Sequence, residues 1–458
     1  MRRPALLALA LTLALPAAGR GQEPGAPPSP LAFWRAVGDP TLVRLIARAL
    51  EANRDLRAVD ARMRGARAAR TEAALDLAPT ITARAGYSRQ RLAAASFPGA
   101  GALPDQDVWD AGVQLGWELD LFGRLRGSFQ GRSALLESAE EDRRGARILI
   151  AAEVVRAYFD LRGAQDRLAV ARRNAENQRS TLRLTQDRLE LGRGSALDTE
   201  RAQAQLSSTL ATIPALEAEI AAAHHRIAVL LGETPGQALP GLAERVGPPV
   251  LPELRVPDPV AVARRRPDVR GAKHRLEAGA AFLGAAKADY LPRISIGAVA
   301  GYTASAFDAL GDHGTPRYAI GPVISWPLFD LARVRTRVDA ARANEAEAAA
   351  RYDQAFLTAL EEVQTALTAY ARARERLRHL EEAAAASERA TALARLRFEE
   401  GASDFLEVLD AERRLLEAQA RLAAGRADAS NALVSVYRAI GGDAGVSVRE
   451  PRDRRDED

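Results

Sequence analysis

The twelve residues Trp109-Asp110-Ala111-Gly112-Val113-Gln114-Leu115-Gly116-Trp117-Glu118-Leu119-Asp120 alternate apolar with polar or small side chains without a break. A period of two over that length predicts a strand with one apolar face and one wet face. Upstream, Ile81, Ala83, Ala85 and Tyr87 alternate with Thr82, Arg84 and Gly86. Ile294 to Tyr302 and Tyr318 to Trp326 show the same alternation in the second half of the chain. With their flanks, strands are expected at about 80–90, 108–120, 293–303 and 317–327. The stretches between them, Leu92 to Gln106 and Thr303 to Pro316, are rich in Gly, Pro, Ala and Asp and read as loops. Tyr87, Trp109, Trp117, Tyr302, Tyr318 and Trp326 fall at or near strand ends, as in a sheet that meets a lipid boundary. A sheet on a soluble core shows the same alternation, so the strands alone leave both readings open.

Most of the remaining chain reads as helix. No proline falls between Pro104 and Pro214, or between Pro327 and Pro451, and both stretches are rich in Ala, Arg, Glu and Leu. One helix from Gly127 to Glu190 measures roughly 95 Å at about 1.5 Å per residue. Leu42, Leu45, Ala49, Ala52, Leu56, Val59, Met63 and Ala66 step by three and four, as do Phe356, Leu360, Val363, Leu367 and Tyr370. Such seams form coiled coils. Gly192-Arg193-Gly194-Ser195 and Gly401-Ala402-Ser403 each interrupt a long helical pattern, and glycine favours the left-handed conformation that ends a helix. Two helical hairpins are therefore expected, turning near 192–195 and 401–403, with the strands at the opposite end of a rod.

The chain is duplicated. Arg188, Gly192, Asp198 and Gly232 recur 209 residues later as Arg397, Gly401, Glu407 and Gly441. Asp55 and Pro79 recur 213 residues later as Asp268 and Pro292. A repeat this long is a domain-sized unit. The expected order is residues 1–19 as a leader, 20–231 as the first repeat, 232–259 as a proline-rich linker, 260–445 as the second repeat and 446–458 as a charged, disordered tail.

Composition narrows the function classes. The 458 residues carry 64 Lys and Arg against 60 Asp and Glu, with Lys only at Lys273 and Lys287. Interspersed charge of both signs is a helix-surface pattern, and no basic stripe with stacking aromatics marks a nucleic-acid footprint. The absence of cysteine excludes disulfides, thiol catalysis and a lipid-bearing N-terminal cysteine. Arg2 and Arg3, the apolar run Ala5 to Leu15 and Pro16-Ala17-Ala18-Gly19 have the form of an export signal. No later run of 18 apolar residues exists, so membrane entry requires a β-barrel. No nucleotide-binding, zinc-protease or serine-hydrolase motif is present, and His224-His225 point to different faces of a helix. No enzyme, cofactor or metal is expected.

Four strands cannot close around a wide lumen, and open strand edges are not tolerated in lipid. Three chains supply twelve strands and twelve long helices. At this point the chain resembles the TolC/OprM-like outer-membrane efflux proteins, and their NodT subgroup in particular. The resemblance rests on Phe33-Trp34-Arg35, Gly38-Asp39-Pro40, Trp117-Glu118-Leu119-Asp120-Leu121-Phe122-Gly123-Arg124, Arg264-Arg265-Arg266-Pro267-Asp268, Trp326-Pro327-Leu328-Phe329-Asp330 and the two Arg-x-x-x-Gly tips. It implies a homotrimer with a twelve-stranded barrel in outer-membrane lipid, on a twelve-helix periplasmic tunnel. It also implies a periplasmic adaptor and an inner-membrane pump as partners, the pump supplying energy to a passive duct for small molecules.

The same resemblance implies a gate at the periplasmic tip, formed by acidic rings at Glu407 and Asp410, with Asp198 the first-repeat counterpart of Glu407. Arg188, Gly192, Arg397 and Gly401 match the motif that touches the adaptor. The family pattern places an arginine just after the second tip glycine, where this chain has Ser403; Arg193 is a candidate replacement. Solvated helix charge is the plainer reading of the carboxylates. Export of protein or metal ions by the same fold, and a periplasmic coiled-coil scaffold, are the competing functions.

Overall fold

Two helices far longer than an ordinary domain is wide set the shape of the chain. In the computed structural model α4 spans Arg124–Glu190, 67 residues, and α8 spans Leu331–Glu399, 69 residues. At about 1.5 Å per residue each is roughly 100 Å long. Each turns at a glycine into a 35-residue helix, α5 (Ala196–Leu230) or α9 (Phe405–Ala439). Gly192 has φ 69° and Gly401 has φ 76°. The Arg193 N–H donates to the Arg188 carbonyl at 2.8 Å, and the Ala402 N–H to the Arg397 carbonyl at 2.7 Å. Both turns are thus closed by the bond from the residue after the left-handed glycine back to the Arg of the Arg-x-x-x-Gly motif.

The structure describes residues 30–35, 37–93, 104–237, 239–243, 251–255, 258–442 and 447–449. The leader expected at 1–19 and the tail from 450 lie outside them.

The strands lie at the other end. α3 (Arg54–Leu75) leads into β1 (Thr80–Gln90) and β2 (Gln106–Glu118); α7 (Pro267–Ala288) leads into β4 (Arg293–Ala304) and β5 (Pro316–Ser325). They form one antiparallel sheet in the order β1-β2-β4-β5. The helices follow the same order, α3 against α4, α4 against α7 and α7 against α8. The protomer is therefore one layer, four strands wide at one end and four helices wide along the rod. β1 and β5 are its strand edges.

Strand β2 stops two residues earlier than its alternation suggests. The Asp120 carboxylate instead accepts the Leu125 N–H at 2.9 Å and the Arg126 N–H at 2.8 Å, capping the first turn of α4. Free N–H groups at a helix start need such a partner, and this need ends the strand. β5 likewise ends at Ser325, before Trp326-Pro327.

A belt of short elements surrounds the middle of the rod. α1 (Pro30–Arg35), α2 (Pro40–Ala52), β3 (Glu253–Arg255), α6 (Pro259–Arg265) and β6 (Ser447–Arg449) make it up. Trp34, Leu42, Ile46, Tyr158, Leu161, Leu433 and Tyr437 are fully buried there. The Trp34 ring lies 4.9 Å from Tyr437 and 6.3 Å from Phe159. Burying each large side chain stabilises the fold by about 1.5–3 kcal/mol. Asp39 caps α2 by accepting the Thr41 N–H at 2.9 Å, and it also accepts the Tyr158 hydroxyl. Burial and that hydrogen bond push the Tyr158 phenol up to about 12. The Phe-Trp-Arg and Gly-Asp-Pro motifs thus anchor the N-terminal segment to the rod.

The proline-rich stretch after α5 packs into the belt: Leu239 and Leu242 are buried in its core, and the Pro252 carbonyl accepts the Tyr370 hydroxyl at 2.7 Å. Two expectations need correction here. The tail is not wholly free: residues 447–449 pair antiparallel with 253–255, which satisfies backbone groups of both segments. The seam from Leu42 to Ala66 is broken at Asn53, which ends α2 and caps α3 through the Asp55 and Leu56 N–H groups. Beyond Leu56 the same spacing continues along α3, where Val59, Met63 and Ala66 are half-buried and the helix packs against α4.

The repeat reappears in polar detail. Asn53 Nδ2 donates to the Leu230 carbonyl at 2.9 Å, and Arg266 Nη1 to the Ala439 carbonyl at 3.0 Å. These donors are 213 residues apart and their acceptors 209, so each repeat ties the end of its returning helix to the start of its α3 or α7 in the same way.

Candidate functional site

The sheet has one apolar face and one polar face, in register across all four strands. One row across it is Ile81, Leu115, Ala298 and Ile320; the next is Ala83, Val113, Ala300 and Tyr318. Between the aromatic rows at the strand ends this face carries no charge. Arg89 and Asp107 lie on it only beyond Tyr87 and Trp109, at the outer rim. Buried cores are apolar too, but this face is open: Ile81 is 69% exposed, Ile320 74% and Tyr318 85%. Wide apolar exposure of this kind marks contact with lipid or protein. Among the described residues no helix is long and apolar enough to cross a membrane.

Aromatic side chains bound the apolar band. Tyr87 packs against Trp109 at the loop end, with ring centroids 4.6 Å apart and planes tilted by 39°. At the helix end Trp117 Nε1 donates to the Leu77 carbonyl at 3.0 Å, and Trp326 Nε1 to the Tyr290 carbonyl at 3.1 Å. The two indoles are repeat equivalents, each with its polar edge satisfied and its ring outward, as amphipathic rings at an interface require. Along β2 eight residues separate Trp109 from Trp117. At about 3.3 Å per residue and a tilt of ~40° that spans roughly 20 Å, near the ~25 Å apolar band of outer-membrane barrels.

Gly112 and Gly301 face each other where the two repeats meet. A Cβ on Gly112 would lie 2.5 Å from the Ala300 carbonyl oxygen, and one on Gly301 2.3 Å from that of Ala111. Only glycine permits this approach, so the repeats share a continuous sheet at the cost of two side chains.

The far end of the rod holds the expected tip residues. Glu407 lies in the first turn of α9, 3.5 Å from Arg397 Nη1, behind a cap in which Asp404 accepts the Glu407 N–H at 3.1 Å. Asp410 lies 2.9 Å from both Arg413 and Arg414. Glu407 and Asp410 share a cleft of about 630 Å³ with Arg397, Ser403, Asp404 and Leu406. Asp198 is not part of it; it sits on α5, 3.8 Å from Arg201. The two second-repeat carboxylates are thus brought together and the first-repeat one is not. Each faces an arginine of its own hairpin, which reduces the mutual repulsion expected of a bare acidic ring.

The two tip arginines differ despite their equivalent positions. Arg188 reaches across to the other hairpin, donating to the Phe398 carbonyl at 2.9 Å with its guanidinium 4.0 Å from the Phe398 ring centroid. Arg397 stays within its hairpin, beside Glu407. Above the tip further polar contacts join α4 to α9. Asn431 Nδ2 donates to Asp160 Oδ1 at 2.8 Å, Asn174 Nδ2 to Gln419 Oε1 at 3.0 Å, and the Thr181 hydroxyl to Glu412 Oε1 at 2.8 Å. Glu412 is only 4% exposed and also takes Arg395 at 2.7 Å. Sequence reasoning missed this carboxylate. Its signal was present: Phe405, Val408, Glu412 and Leu415 keep the three-four step of a buried seam.

A sheet with one open apolar face thus stands at one end of a rod built from two long helical hairpins. The family model described as "Outer membrane efflux protein" matches residues 45–233 and 259–442, and the chain belongs to that family. It is 32% identical over 406 residues to the toluene efflux pump outer membrane protein TtgF of Pseudomonas putida, covering 88% of this chain and 84% of the relative. It is 30% identical over 431 residues to nodulation protein T of Rhizobium leguminosarum, covering 92% and 86%. Among solved structures, that of the outer-membrane channel OprN superposes with a TM-score of 0.84 at 40% identity, covering 90% of this chain and 92% of that one. The expected resemblance, its NodT branch included, is thereby borne out.

Proposed function

We propose that three copies of this chain close a twelve-stranded barrel in the outer membrane and continue it as a twelve-helix tunnel. The observation that carries this reading is the exposed apolar sheet face, bounded by aromatic rows and ending in unpaired edges at β1 and β5. Lipid does not tolerate such edges, and pairing β1 with β5 of the next copy removes them. The same face disfavours a soluble periplasmic scaffold, which would leave it in water.

In this reading the duct is passive. It docks a periplasmic adaptor at the tip through the turns at Gly192 and Gly401 and receives small molecules from an inner-membrane pump. The likeness to TtgF, named for toluene efflux, supports small molecules over proteins as cargo. No bound metal or cofactor takes part.

The tip is the gate. Glu407 and Asp410 of three chains form the acidic constriction, Asp198 flanks it, and Arg188 holds the hairpins of each protomer together in the closed state. Purified trimer in a planar bilayer gives discrete conductance steps; a protein that leaves the bilayer silent at every concentration is not a channel. Exposed ion pairs are worth little individually. Glu407→Ala with Asp410→Ala should therefore raise mean conductance by up to about fivefold and weaken block by divalent cations. Conductance and block equal to the parent's rule out this position for the gate.

A further inference from the structure

The polar face of the sheet becomes the barrel lumen in the trimer, and its charges can be followed one by one. The register puts Arg84, Asp110, Glu118, Arg293 and Arg317 on this face, with no other charged residue from the four strands. Four of the five are matched. Arg317 Nε and Nη2 donate to Asp110 at 2.9 and 2.7 Å. Arg124 donates to both oxygens of Glu118 at 3.0 and 2.7 Å. Arg293 donates to Asp289 at 2.7 Å.

Arg84 is different. It is exposed and has no hydrogen bond or ion pair among the described residues. Its row across the sheet reads Arg84, Gly112, Gly301, Arg317, so the two positions beside it on the lumen wall are bare of side chains. Closure of the barrel does not supply a partner. The strand that meets β1 is β5 of the next copy, whose residues on this face are Arg317, Ala319, Gly321, Val323 and Ser325. Of the remaining acids at this end, Asp107 lies on the opposite face and accepts the Tyr87 hydroxyl at 2.8 Å, while Asp105, Asp308 and Asp312 lie beyond the strands, Asp105 taken by Arg91 at 2.6 Å.

We propose that Arg84 forms a ring of three unpaired guanidiniums in the barrel lumen. The ring draws anions, inorganic or carboxylate-bearing, through the outer part of the duct. The inference rests on the trimeric barrel of the previous section. A barrel of twelve strands spaced about 4.8 Å apart and tilted ~40° has a backbone radius of about 12 Å. Three like charges at that distance still act on a passing ion when the salt is dilute, because the screening length at 0.01 M is about 30 Å. At 1 M it falls to about 3 Å and the effect disappears. Rings of charged side chains set ion preference in pores in this way.

The test is the reversal potential of purified trimer in a neutral-lipid bilayer under a potassium chloride gradient. Near 10 mM salt, Arg84→Gln should lower the chloride-to-potassium permeability ratio by about threefold. Arg84→Glu should lower it further, Arg84→Lys should keep the parent value, and the differences should vanish near 1 M. Equal ratios for parent, Gln and Glu variants at low salt, with normal conductance steps, overturn the ring. A parent that gives no conductance at all instead overturns the barrel reading. If the Glu variant fails to assemble, the comparison of Gln with Lys still decides the matter.

Discussion

An arginine at Ile320 stops this chain from assembling in a bilayer, while an arginine at the adjacent Ala319 does not. Ile320 lies near the middle of the apolar band, in the row with Ile81, Leu115 and Ala298. Arg or Lys near the midplane of a lipid-facing barrel surface costs about 2–4 kcal/mol per site. A trimer carries three such sites, so the total is roughly 6–12 kcal/mol, comparable to the whole stability of an ordinary fold. Ala319 points to the opposite face, where Thr82, Gln114 and Val299 share its row. In the proposed barrel that face lines the lumen, where water solvates a charge. The readout is the amount of folded protein in urea-washed outer membranes. Near-total loss for Ile320→Arg with near-parental yield for Ala319→Arg is expected. Equal yields contradict the assignment of the two faces.

The second large effect is expected at Arg266. The residue is 7% exposed and its guanidinium joins three elements, with Glu362 at 2.6 Å, Asp268 at 2.7 Å and the Ala439 carbonyl at 3.0 Å. Desolvation disfavours the charged form, but the two carboxylates outweigh it and raise the guanidinium above its ordinary value. Removing one partner of a buried pair leaves the other uncompensated, at a cost of about 3–5 kcal/mol. Glu362 is 38% exposed, and water will recover part of that cost. Arg266→Ala should therefore destabilise by about 2–4 kcal/mol. The equivalent Asn53→Ala, which loses neutral hydrogen bonds only, should cost about 1–3 kcal/mol. Thermal unfolding in detergent, followed by circular dichroism, orders the two. An Arg266→Ala variant as stable as the parent shows that the clamp holds nothing.

Features set by local geometry were legible in the chain. The alternation from Trp109 to Trp117 appears as a strand because a pleat places every second side chain on one face. Gly192 and Gly401 mark the tips because each takes a positive φ that ends a helix. The four strands, the long helices and the position of the tip needed nothing more than these periods and breaks.

What stayed hidden depends on residues distant in sequence. The burial of Glu412 follows from Thr181, 231 residues away, and from Arg395 on the facing helix. Leu239 and Leu242 lie among prolines, so their stretch reads as a linker until the belt core closes over them. Asp120 continues the alternation of β2, yet the N–H groups of α4 claim it. At the tip, the identical motif positions of Arg188 and Arg397 concealed different partners. One guanidinium crosses between hairpins and the other stays beside its own carboxylate.

The central claim is that the exposed sheet faces lipid as part of a closed trimer. It is tested most directly by expressing the full chain, separating periplasm from outer membrane, and running the membrane fraction unheated and heated on a denaturing gel after cross-linking. The account predicts protein only in the outer membrane, a cross-linked product of three chains, and an unheated band whose mobility changes on boiling. A monomer recovered wholly in the soluble periplasmic fraction, with mobility indifferent to heat, contradicts it.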